Sequence, residues 1–255
     1  MANHNAQAVR EIGASMGEAI GIFMLHPDTF AAGMAVGFAN PLAAYVAGRG
    51  GVLGEATGVT VAAVFAVFEP DFVTALWAEG IAVRGAVGAA DLYWSQTADF
   101  GRKYLAGAEG LDRLAELAEK VIEATPGAGL PLYAGWRTMS LVDDAPGRAM
   151  QVMFVLRELR AAVHFNVLTN SGITPVEAHM LNKGPSAGQA YARMFGWPEP
   201  FADGADKKKI YDLVEDSTNQ RMSEILGAAL DSSEIAELAR LSVGALEALK
   251  AAVTR

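Results

Sequence analysis

Apolar side chains recur at helical spacing along almost the whole chain, and the breaks fall at proline, glycine and small polar residues. Residues 6–25 are mostly small and apolar with Arg10, Glu11 and Glu18 interspersed, which predicts a helix ended by His26-Pro27. Gly13, Gly17 and Gly21 recur at every fourth position along it. Glycine weakens a helix, so three on one face predict that another backbone packs closely there. The spacing also matches a membrane dimer motif, but the polar flanks favour close packing in a globular protein. Short helices are expected over 28–38, capped by Asp28, and over 41–48, before Arg49-Gly50-Gly51 interrupts the pattern. Residues 59–68 carry enough valine for a buried strand, yet they lack alternation and a hairpin partner, and a helix is the better assignment. Beyond Glu69-Pro70, helices are expected over 71–82, 89–106 and 111–124, the last amphipathic with Leu114, Leu117, Val121 and Ile122 on one side.

The stretch richest in proline and glycine, 126–135, is the expected linker between an N-terminal half (1–125) and a C-terminal half (136–255). The second half opens with a helix over 145–170, whose stripe of Val152, Leu156, Leu159, Val163 and Val167 precedes a stop at Gly172. Thr174-Pro175-Val176-Glu177 then places a capping threonine, a proline at the first helical position and a glutamate at the third, a capping box that starts a new helix. Gly184-Pro185 breaks it, a short helix covers 186–195, and a turn-rich segment leads to long helices over 206–230 and from a second capping box, Asp231 to Glu234, onward. This is the order of a winged-helix domain, although no wing strands stand out. Residues 42–56 and 159–178 share a helix, a small-residue break, a glycine and then Glu-Ala. The expected fold is therefore mainly α, with two winged-helix-like, helix-turn-helix halves about a pseudo-twofold axis and a crevice between them.

Composition narrows the partners. Hydrophobic residues make up 52% of the 255 and charged ones 19%, which suits a compact chain with a substantial core. The net charge of −9 repels phosphate backbones and anionic membranes. Without cysteine there is no disulfide, zinc–thiolate site or thiol nucleophile. Residues 1–10 carry Asn3, His4, Asn5 and Gln7 where an export signal needs a basic end and an apolar run, and the apolar stretch 59–68 is about half a membrane span. A cytoplasmic protein with no membrane partner is expected.

Residues 31–54 (AAGMAVGFANPLAAYVAGRGGVLG), 59–77 (VTVAAVFAVFEPDFVTALW) and 156–181 (LRELRAAVHFNVLTNSGITPVEAHML), extended by 196–200 (GWPEP), carry a resemblance. The chain resembles a large set of bacterial, mainly actinobacterial, proteins described as helix-turn-helix or winged-helix and distantly similar to MarR-type regulators. The resemblance implies a tandem winged-helix architecture without an assigned activity. Many members carry a histidine shortly after the first-helix glutamate; this chain has Glu18, but Gly21 at the matching position, so a role resting on that histidine does not carry over.

Arg157, Arg160 and His164 fall at i, i+3 and i+7 and share one helix face, opposite the Val/Leu stripe. Such a row can bind a carboxylate or phosphate, with His164 exchanging protons near neutral pH, or it can be a solvated basic face. Glu158 beside it is a candidate base or a simple ion-pair partner. Arg49, flanked by Gly48 and Gly50-Gly51, has small neighbours that let its guanidinium enter a crevice, with Tyr45 one turn before it; the alternative is a salt bridge across the duplication. His164 and Glu158 are thus the candidate catalytic pair, and Tyr45, Arg49, Arg157 and Arg160 the candidate ligand-binding set. Glu177 is accounted for by its capping box, His26 by a turn, and His179 has no metal-ligand spacing with other groups. No metal site, dinucleotide fingerprint, phosphate loop or serine-nucleophile elbow is present, and the sequence names no particular cofactor. Phe65, Phe68, Phe72, Trp77, Tyr93, Trp94 and Trp136 suit either a pocket or the core.

The leading expectation is a small-molecule binder with its pocket between the halves, a sensor or an enzyme that works with acid–base and electrostatic groups or borrows a cofactor. The alternative is a MarR-like DNA-binding regulator reading DNA with residues 186–195, where Arg193 is the one cation beside Gln189 and Tyr191. Lys207, Lys208 and Lys209 are candidate phosphate contacts or a solvated helix start. The third expectation is a structural or partner-binding role, which a homodimer built on glycine-faced helices would suit.

Overall fold

The computed structural model describes residues 2–254, with side chains from Asn5 onward. Met1, Arg255 and the side chains of residues 2–4 lie outside it, and with them the part of the N-terminal reading that used Asn3 and His4. Among the described residues twelve α-helices follow one another: α1 (Ala2–Leu25), α2 (Pro27–Ala35), α3 (Pro41–Gly50), α4 (Gly58–Phe65), α5 (Pro70–Tyr104), α6 (Leu111–Ala124), α7 (Pro131–Trp136), α8 (Ala145–Asn170), α9 (Pro175–Lys183), α10 (Pro185–Met194), α11 (Lys208–Ala229) and α12 (Ser232–Val253). The fold is mainly α, and no strand occurs among the described residues. Where a winged helix would place its wing, residues 196–204 run as an irregular loop.

Both capping boxes form, Thr174 with Glu177 and Asp231 with Glu234, so the sequence signals act locally as the physics of orphan N–H groups requires. The cap of α2 is His26, whose Nδ1 accepts from the Asp28 amide at 3.1 Å, and not Asp28 itself. Asp28 instead accepts from Lys103 and Tyr104. The two helices expected over 71–82 and 89–106 are one, bent at Gly85, whose φ of 70° only glycine adopts easily. Within the proline–glycine stretch, Pro131 starts the short helix α7, and its Trp136 is fully buried.

Trp94 stacks on Trp136 at 5.4 Å, and Phe154 of α8 meets Trp136 edge-on at 4.9 Å. Around this aromatic centre one continuous core draws on α1, α3, α5, α6, α8 and α12. A separate small core, Leu168, Ile173, Ala178, Tyr211 and Val214, lies under α9.

The close backbone contacts fall at other glycines than the α1 stripe. A Cβ on Gly80 would lie 2.5 Å from the Ala43 carbonyl oxygen, and one on Gly101 would lie 2.2 Å from that of Pro146. These positions fix the α3–α5 and α5–α8 crossings. On α1, a Cβ at Gly17 or Gly21 would meet nothing within 4 Å, and one at Gly13 would meet only the Arg160 side chain. The stripe borders open space, which corrects the expectation of close packing there.

Candidate functional site

The space beside that stripe is a cleft of about 1230 Å³ between α1, α8, α11 and the α9–α10 pair. Its apolar lining includes Ile12 and Met16 of α1, Leu156 of α8, and Met222 and Leu226 of α11. Tyr45 of α3 and Phe68, between α4 and α5, also border it and continue an aromatic stack, Tyr45 on Phe68 at 6.0 Å and Phe68 on Phe195 at 3.9 Å. Phe68 is the one residue of the expected aromatic set that borders this cleft; Trp77, Tyr93, Trp94 and Trp136 are buried in the core.

Arg157, Arg160 and His164 all face the cleft, because i, i+3 and i+7 put them on one side of α8 while Leu159 and Val163 enter the core. Gly13 leaves room for the Arg160 side chain, whose Nη2 donates to Glu215 Oε2 at 3.0 Å. Tyr211 donates to the other Glu215 oxygen at 3.2 Å and receives a hydrogen bond from Asn182 at 2.7 Å. The Thr218 hydroxyl donates to the Val214 carbonyl, so it accepts from His164 Nδ1 at 3.2 Å, which assigns the His164 proton to Nδ1. Nε2 then keeps its lone pair. Burial lowers the His164 pKa, and Arg160 adds to this, against the opposing pull of Glu215.

Behind this face lies a second charged cluster. Glu158 and Arg49 are 1% and 2% exposed and form a two-pronged ion pair, 2.9 Å on each side. Arg49 also donates to the Tyr45 hydroxyl at 3.2 Å and lies 4.7 Å over the Phe65 ring. Arg157 donates to the same carboxylate at 2.5 Å. Burial pushes the Glu158 pKa up, but the charges and hydrogen bonds of Arg49 and Arg157 outweigh it and hold the carboxylate below its usual range. Burial likewise opposes charge on Arg49, and Glu158 more than restores it. This corrects two expectations. Arg49 does not enter the large cleft, since its neighbouring glycines serve α3–α5 packing: Gly48 meets the Tyr93 ring and Gly51 the Ala86 carbonyl. Glu158 is an ionised carboxylate saturated by two arginines, a poor proton acceptor. Both border a smaller cavity of about 190 Å³ beside another face of α8.

His26 and His179 are structural in their contacts. His179 Nε2 donates to the Val67 carbonyl at 2.9 Å, which Trp197 Nε1 also contacts at 2.9 Å, so one carbonyl ties α9 and the following loop to the rim of the cleft. Among the described residues no group of three or more His, Asp or Glu could hold a metal ion.

A family model described as a helix-turn-helix family matches residues 9–209. The chain belongs to that helix-turn-helix family. No match was found among curated proteins or among solved structures. Helices α9 and α10, joined at Gly184, are the element that holds the segment expected to read DNA, residues 186–195, and α10 exposes Ser186, Ala187, Gln189, Ala190 and Arg193. In this member of the helix-turn-helix family, Arg193 is paired with Glu199 at 2.5 Å. Lys207 is paired with Glu177 at 2.7 Å and Lys208 with Asp212, so most of the cations near the element are already engaged by acids.

Sequence reasoning did not find Tyr211, Glu215, Thr218 or Asn219, the α11 partners of Arg160 and His164. Their spacing, continued by Met222 and Leu226, is that of a single helix face, and that periodicity was the available signal.

Proposed function

We propose that this helix-turn-helix protein binds a small molecule in the cleft between α1, α8, α11 and α9–α10. The observation that carries the reading is the cleft itself: a large apolar concavity with a few convergent polar groups, Arg157, Arg160, His164 and Tyr45, is the usual form of a ligand site. Arg49 and Glu158 support it from behind by fixing Tyr45 and Arg157. If the site does chemistry, the His164 imidazole is its base, acting through Nε2. The two-halves description, 1–125 and 136–255 about a pseudo-twofold axis with 126–135 as linker, is proposed with it; its support is that Arg49 and Glu158 join the two helices, α3 and α8, that the duplication pairs. A cytoplasmic location accompanies the same reading. For a homodimer the support shifts from the α1 glycines to the exposed apolar side chains Met34, Val83 and Val87.

The test is native mass spectrometry after equilibration with a low-molecular-mass cell extract, using wild type and Gly17→Leu, whose side chain would project into the cleft. A stoichiometric adduct on wild type that is absent from a folded Gly17→Leu is expected; equal adducts, or none on either protein, would remove the support for the cleft as a ligand site.

A DNA-binding regulator is the second reading, favoured by the family membership. The acid-paired cations around α10 argue against it, because phosphate contacts supply most of the affinity for DNA. A duplex titration across salt concentrations separates the two: a steep salt slope supports the regulator.

A further inference from the structure

We infer that the ligand of this cleft is an organic oxyanion with a flat apolar body, its carboxylate, sulfonate or sulfate group received by Arg157. The inference rests on the cleft reading above and adds charge and shape to it.

The charge follows from counting partners. Arg49, Arg157 and Glu158 form one contact cluster, two cations on one carboxylate, and Glu158 is already bound on both oxygens by Arg49. Arg160 is balanced by Glu215, and His164 is held toward its neutral form. Arg10 lies 4.0 Å from Asp216, and Glu18 is paired with Lys250 at 2.9 Å. Lys183 also lines the cleft without an acid partner among the described residues, but it is exposed and lies 5.6 Å over the Tyr191 ring; the positive charge left over away from solvent, on the wall of this largely apolar cleft in a chain whose net charge is −9, sits at Arg157. Its side chain is 24% exposed, and only Nη1 donates to a partner among the described residues. Nε and Nη2 form the edge of the guanidinium fork that receives an oxyanion through two parallel hydrogen bonds.

The shape follows from the walls. At Gly17 and Gly21 the α1 wall carries no side chain, and the aromatic stack of Tyr45, Phe68 and Phe195 borders the same space. A bare helix surface and aromatic faces accept a flat body with little reorganisation.

The probes are 8-anilinonaphthalene-1-sulfonate and its uncharged parent N-phenyl-1-naphthylamine, which differ by the anionic group alone. Each is titrated by fluorescence into wild type, Arg157→Gln and Gly17→Leu, with circular dichroism confirming the fold; Arg157→Gln leaves the Arg49–Glu158 pair intact. Wild type is expected to bind the sulfonate more tightly than the parent. Arg157→Gln is expected to weaken the sulfonate by about tenfold or more and leave the parent unchanged. Gly17→Leu is expected to weaken both. Equal affinity of wild type for the two probes, or an equal loss of both in Arg157→Gln, overturns the oxyanion assignment while the cleft stands. If Gly17→Leu changes neither affinity, the probes bind elsewhere, and the cleft reading falls together with this one.

Discussion

Glu158 shows how one side chain can be essential without being reactive. Its carboxylate is fully enclosed and shared by two arginines, so removing its charge leaves the Arg49 guanidinium buried without a counter-ion. Glu158→Gln is therefore expected to cost about 3–5 kcal/mol in denaturant unfolding, whereas replacing the pair together, Arg49→Met with Glu158→Leu, costs less than the single change. The same cluster sets part of the acid response. A carboxylate whose folded pKa lies below its unfolded value contributes stability that is complete above the unfolded value and is lost as pH falls through the folded one. His164 acts in the same direction at higher pH: its folded pKa is below the ordinary 6.5, so the unfolded chain takes up the proton first as pH falls. Thermal midpoints are expected to drop from about pH 7 to about pH 5, and to drop less in His164→Gln. A pH profile unchanged by that substitution would contradict the buried, neutral imidazole. The row Arg157, Arg160 and His164 was legible in the sequence because three and seven residues along a helix give one face. Ion pairing was an alternative for both Arg49 and Glu158, but their burial and their pairing with each other were not legible, because partners 109 positions apart leave no local trace.

Among the helices, the boundaries that could be read were those written in caps and breaks. The 111–124 and 145–170 segments and both capping boxes carry their own start and stop signals, and they form where expected. The bend in α5 and the helix α7 were missed because glycine and proline mark both a turn and a helix end, and the surrounding packing decides between them. The glycines divide for the same reason. At Gly80 an added methyl group would press on the Ala43 carbonyl, while at Gly17 it would meet open space. Gly80→Ala is expected to destabilise by about 1–3 kcal/mol, and Gly17→Ala to stabilise by up to about 1 kcal/mol through helix propensity alone. Chemical denaturation of the two variants measures this directly; a destabilised Gly17→Ala would show that α1 is packed against another surface.

In the molecule as a whole, α9 and α10 stand apart from the principal core. They rest on the small cluster around Leu168 and Tyr211 and on the Val67 carbonyl shared by His179 and Trp197. Their amides are expected to exchange hydrogen faster than those of α5 and α8, and to slow when the cleft is filled, since a ligand that touches both sides stabilises the folded state that binds it. Equal protection across all four helices would mean that α9–α10 is as firmly held as the centre. The overall α fold and the helix-turn-helix order were visible in hydrophobic period and turn chemistry; a crevice was expected, but its walls were not legible, because they come from α1, α8, α11 and α9–α10, brought together only by the tertiary fold.

The bare face of α1 also bears on how such a protein can change over time. Most binding sites trade capacity against folding, because reshaping a pocket disturbs the packing around it. Here each step from glycine toward a larger residue at 17 or 21 narrows the cleft and strengthens the helix at once. A lineage can move from a large ligand to a small one with no loss of robustness, and the return journey is the one that demands compensation elsewhere in the chain.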